Sequence, residues 1–81
     1  MIYLDSHRDL KLDWEAKENM LSAIKAGIKD EFNVKGLNLF YNDQGRAFCL
    51  SEAPSIDAVR KTHEAKGVKC DEIVEVRSLI S

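Results

Sequence analysis

The chain is poor in the residues that interrupt structure. It has one proline, Pro54, and four glycines among 81 residues, so no linker or low-complexity segment divides it, and a single domain spanning 1–81 is expected. It has only two cysteines, Cys49 and Cys70, with no Cys-x-x-Cys pairing, which excludes a structural zinc site of thiolates. A surplus of positive charge is missing. The net charge is −2, where a nucleic-acid binder would carry a basic stripe. No apolar run reaches the length of a membrane span. The start, Met1-Ile-Tyr-Leu-Asp5, lacks the basic region of a signal peptide. A cytoplasmic protein with free thiols is therefore expected. Also lacking are a Gly-x-Gly-x-x-Gly string, a P-loop and a glycine-flanked serine elbow around Ser51 or Ser55, which leaves nucleotide cradles and serine hydrolysis without support.

What is present is organised around residues 45–67. Arg46 to Ala53 has strand composition, and Pro54 stops it because proline offers no amide to a ladder. Ser55 then caps a helix that Gly67 ends. Ahead of this stretch, Met1 to Asp5 reads as a strand, with Tyr3, Asp5 and His7 pointing one way and Ile2 and Leu4 the other. Ser6 to Leu12 reads as a loop. Asp13 is a good N-cap, and Trp14, Leu21, Ile24, Ile28 and Phe32 form one helical stripe that Asn33 terminates. Val34 to Asn42 returns to period two, followed by the turn Asn42-Asp-Gln-Gly45. Glu72 to about Leu79 is the last strand.

The order is βαββαβ. Two split β-α-β units joined by a hairpin make a ferredoxin-like plait, an α+β fold with a four-stranded antiparallel sheet and two helices on one face. A chain this short buries only roughly 60% of its unfolded surface, so a partner is worth seeking. Neither strand face is cleanly polar, since Tyr3, Phe40 and Ile73 fall opposite other apolar residues. An exposed sheet of that kind marks an interface, and a homodimer packed sheet against sheet is expected.

The metal-competent residues are His7, His63, Cys49 and Cys70, with Asp5, Glu52 and Glu75 as oxygen donors. In a plait, His7, the late turns of the second helix and Cys70 lie toward one end of the sheet. Asp5 and His7, two apart on a strand, share a face, and a carboxylate beside an imidazole co-ligates a metal or orients the ring. Such donors suit nickel, zinc or copper better than calcium. Plainer readings stand beside these. His63 lies on an apolar helical stripe, as a hydrogen-bonded core histidine would. Cys49 in a central strand acts as a small hydrophobe, and His7 fits a solvated loop. Asp5 can satisfy loop amides, and Cys70 fits an inert edge thiol. A Cys49–His63 nucleophilic pair would need a depressed thiol pKa and an open cleft.

Phe48-Cys-Leu-Ser-Glu-Ala-Pro-Ser55, Ala58-Val59, His63, Gly67 and Asp71-Glu-Ile-Val-Glu-Val76, with the opening Tyr3-Leu-Asp-Ser-His7, resemble a family of small ferredoxin-like nickel-binding proteins. The resemblance implies a homodimer and binding of nickel or another divalent transition metal. Carried over position by position, it points to His7, Cys49 and His63, with Asp5 beside them, as the metal set Asp5, His7, Cys49 and His63. Where family members often have a second histidine directly after the first, this chain has Arg8, a cation that cannot ligate. Two other readings fit a dimeric plait. One is a cofactor-independent monooxygenase or isomerase with His7 or His63 as general base, which would show a sizeable apolar pocket with a histidine at its base. The other is a regulatory module binding a small effector.

Overall fold

The computed structural model describes residues 1–80. It has the expected order: β1 (Ile2–His7), α1 (Trp14–Ala26), β2 (Lys35–Tyr41), β3 (Ala47–Glu52), α2 (Ile56–Lys66) and β4 (Glu72–Val76). The four strands form one antiparallel sheet in the order β2-β3-β1-β4, the ferredoxin-like arrangement. β1 and β3 are therefore central. Their side chains stand between two neighbours, where a functional group can be held from both sides.

Local chemistry sets the ends of the helices. The Asp13 side chain accepts the Ala16 amide at the start of α1, and Ser55 accepts the Ala58 amide at the start of α2. Each satisfies an amide that the first turn leaves without a partner. Gly27 and Gly67 end the two helices at φ 65° and φ 68°, a left-handed conformation that costs residues with a Cβ. The expectation that α1 runs on to Asn33 is corrected here. Gly27 takes the left-handed cap first, and Ile28 and Phe32 lie beyond the helix. Asn33 is itself left-handed, at φ 64°, but it closes a turn. There Asp30 accepts the amides of Phe32 and Val34 through Oδ1 and the Thr62 hydroxyl through Oδ2, tying that turn to α2.

Two strand boundaries also differ. β1 continues through His7 where a loop was expected from Ser6, because Ser6 pairs with Phe48 and Glu72 and His7 pairs with Ala47. β4 stops at Val76, leaving Leu79 and Ile80 exposed.

The helix-covered face of the sheet carries Tyr3, Asp5 and His7 from β1, all buried. Opposite them in the ladders stand Ser51, Cys49 and Ala47. The core joins Tyr3, Val34, Ala53, Ala58 and Val59, with Phe32, Ile56 and Ile73 against it. Tyr3 and Ile73 thus belong to the core side and are not part of an open face. The open face consists of Ile2, Leu4, Phe48, Leu50, Val74 and Val76, continued by Phe40. All are half-buried or exposed, so this chain alone leaves an apolar surface uncovered.

Candidate metal centre

Asp5 and His7 are positioned by the pleat. Two residues apart on a central strand, they project from the same face and are 0% and 2% exposed. α2 supplies His63 from its last turn, facing down onto that strand. The three meet at one oxygen. His7 Nε2 lies 2.7 Å from Asp5 Oδ1, and His63 Nε2 lies 3.2 Å from the same atom. The two rings are 5.2 Å apart, tilted by 32°.

The far nitrogens settle how the rings are used. His7 Nδ1 donates to the carbonyl of Lys69 at 2.8 Å, and His63 Nδ1 donates to the carbonyl of Val59, also at 2.8 Å. A carbonyl only accepts, so Nδ1 carries the proton in both rings. Both Nε2 atoms are thereby turned toward a single point, with their tautomers fixed from behind.

The electrostatics follow from this geometry. Burial pushes the Asp5 carboxyl up, but the hydrogen bonds from His63 and His7 and their charge outweigh it, so its pKa falls below the ordinary value. Both imidazoles are raised, chiefly by hydrogen bonding to Asp5, against a smaller opposing effect of burial. The second carboxylate oxygen, Asp5 Oδ2, is buried and has no hydrogen-bond partner. An unpartnered buried anionic oxygen is costly, and a bound cation would satisfy it.

Two thiols stand beside the trio. Cys70 joins it: Asp5, His7, His63 and Cys70 each offer a ligand atom, and all four atoms lie within 4.8 Å of one another. The Cys70 thiol donates to the Glu72 carbonyl, and burial followed by the charge of Asp5 pushes it up to about 11. Cys49 Sγ lies 3.6 Å from His7 Nε2 but is not one of the four. Burial, then Asp5, raises its pKa strongly. That is the reverse of what a Cys49–His63 nucleophilic pair requires.

Of the residues expected at the site, Asp5, His7 and His63 converge on one oxygen, and Cys49 lies against His7 outside the four-atom cluster. Cys70, which read as an edge thiol, is drawn in as well. The signal was topological, because antiparallel pairing sets the start of β4 beside the end of β1. Arg8 contributes only its amide, which donates to Asp71 Oδ2. The general-base reading needs a histidine at the base of a sizeable apolar pocket. The apolar cleft between α1 and β2, about 400 Å³ and lined by Trp14, Met20, Leu21, Leu39 and Tyr41, contains no histidine.

Fold and cluster together define a small ferredoxin-like α+β domain with a buried carboxylate–imidazole–thiol group able to hold a metal ion. Comparison with known proteins narrows the class. Residues 3–76 match the family described as nickel responsive protein SCO4226-like, and the chain belongs to that family. Among solved structures it is similar to SCO4226 from Streptomyces coelicolor A3(2), at 31% identity and a TM-score of 0.74, over 96% of this chain and 98% of that one. No curated protein matches. Among the described residues, no helix is long and apolar enough to cross a membrane.

Proposed function

We propose that the protein is a non-catalytic, dimeric metal-binding protein, and that it takes nickel or a similar divalent transition ion between Asp5, His7 and His63, with Cys70 as the sulfur donor and Cys49 alongside. The observation that carries the reading is the convergence of two Nε2 atoms on one buried carboxylate whose other oxygen has no partner. Without metal, each Nε2 contact with the carboxylate calls for a proton on Nε2, so both rings tend toward the charged form. A dication that displaces those two protons leaves two neutral rings and the charge of the trio unchanged. The site therefore trades protons for metal at little electrostatic cost, and metal uptake releases protons. Imidazole, carboxylate and thiolate together suit nickel, zinc or copper. The family's description as nickel responsive favours nickel.

Calorimetric titration of the apo-protein with nickel tests this. One ion per chain is expected, with a heat that varies with the ionisation enthalpy of the buffer and a raised melting temperature. His7→Ala should abolish both. No heat and no thermal shift at millimolar nickel would end the proposal.

The dimer part of the reading rests on the open sheet face. Seven apolar side chains from all four strands form one continuous patch there, Ile2, Leu4, Phe40, Phe48, Leu50, Val74 and Val76. It suits a second copy of the chain, since a two-fold axis sets the same patch against itself. Leu50→Glu should convert a dimer into a monomer in sedimentation equilibrium. A wild-type chain that sediments as a monomer would overturn it.

A further inference from the structure

The four-residue cluster is closed on one side and open on the other. Asp5 and His7 are sealed from solvent, whereas His63 and Cys70 are half-buried. Both half-buried members line the same cleft, between the end of α2 and the start of β4. The apolar cleft beside α1, and the one along the loop after β1 and the β2–β3 turn, are lined by different side chains. The cleft has a volume of about 310 Å³, room for about ten waters at ~30 Å³ each. An ion with an octahedral hydration shell fits.

Its charge selects the visitor. Besides His63 and Cys70, the wall carries the carboxylates Glu64, Asp71 and Glu72 against the single guanidinium of Arg60. All four of these charged side chains are exposed; Asp71 Oδ2 also accepts the Arg8 amide, and the acidic field is opposed by Arg60 and by Lys66, whose charge reaches His63. A mouth of this sign repels small organic acids and concentrates cations.

We propose that this cleft is the port of the metal centre. Glu64, Asp71 and Glu72 draw the hydrated dication in, and His63 and Cys70 take it first. It then loses water to the buried Asp5 and His7. This rests on the metal reading above and adds that the ion is exchangeable cargo whose rate of arrival is set by acidic groups that do not ligate it. These carboxylates are positioning residues, and their signature is kinetic.

The test is stopped-flow association of nickel chloride with the full chain, followed by competition with a metallochromic dye, for wild type, Glu64→Gln/Glu72→Gln and Arg60→Gln. At about 10 mM salt the Debye length is roughly 30 Å, and each removed carboxylate should slow association about two- to four-fold. Arg60→Gln should speed association by a similar factor. At about 1 M salt, where screening acts within roughly 3 Å, the three proteins should converge. Dissociation rates should be the same throughout. Association rates equal to wild type at every salt concentration, with nickel still bound, would overturn the port and leave the metal centre standing. A dissociation rate that rises in the carboxylate variants would show that they are ligands, which also overturns it. If the wild type takes up no nickel, the metal reading itself fails.

Discussion

The two helices lie on the same face of the same sheet and meet it differently. α2 buries Ala58, Val59 and Thr62, whereas α1 has no buried residue, and its Trp14 is 71% exposed. Ala58 and Val59 of α2 join Tyr3, Val34 and Ala53 in the core. One turn further along α2, His63 reaches Asp5, with Nε2 3.2 Å from Oδ1. Under α1 the facing side chains are Leu39 and Tyr41, and the helix brings Trp14, Met20 and Leu21, so an open cleft is left between them. Lys17 fills part of it, with its ammonium 4.6 Å from the Tyr41 ring centre and 5.3 Å from that of Trp14. The helix that joins the core carries the site, and the helix with the larger apolar stripe does not.

The comparison breaks most sharply at Asp5. Replacing it with alanine leaves the buried His7 ring and the half-buried His63 ring without their acceptor. The cost should be about 3–5 kcal/mol of apo stability in urea unfolding, against less than about 0.5 kcal/mol for Trp14→Ala on the other helix. A smaller contrast is expected between Val59→Ala, at about 2 kcal/mol, and Leu21→Ala, under about 1 kcal/mol. Equal losses in that pair would mean that α1 is packed as firmly as α2.

The helix caps sharpen the contrast. Gly27 and Gly67 are both left-handed, with open space where a Cβ would go, so alanine should cost about 1–2 kcal/mol at either position. Only Gly67→Ala should also weaken nickel binding, because the chain leaving α2 supplies the Lys69 carbonyl that orients His7.

The gentlest perturbation is pH. The imidazoles are raised in the folded state, so their contribution is complete below the unfolded value of 6.5 and is lost as pH rises through the folded values. Asp5 is lowered, so its contribution is complete above 3.8 and is lost as pH falls through its folded value. The urea midpoint of the apo-protein should therefore be highest between these limits and decline above pH 6.5. With nickel present the decline should reverse, since metal and protons compete for Nε2.

The architecture was legible in the sequence because period, caps and turn residues agreed: Asp13, Ser55, Gly67 and the 42–45 turn all act as their chemistry dictates. The errors came where two signals competed. The apolar spacing of Ile28 and Phe32 masked the stop at Gly27: the period continues past the helix, although only Phe32 packs against the core and Ile28 stays exposed. His7 was placed beyond its strand because the polar Ser6 hid the ladder that Phe48 and Glu72 provide. The cluster itself was half visible. Asp5 and His7 share a face by pleat alone, Cys70 arrives through the pairing of β4 with β1, and His63 arrives only through the packing of α2 on the core.

The most direct measurement is the anomalous signal at the nickel edge from crystals of the full chain grown with nickel. The account predicts a peak between His7 Nε2 and His63 Nε2, in contact with Asp5 and on the side of Cys70. Nickel found only at surface positions, with both rings still bonded to the Asp5 carboxylate, would contradict it.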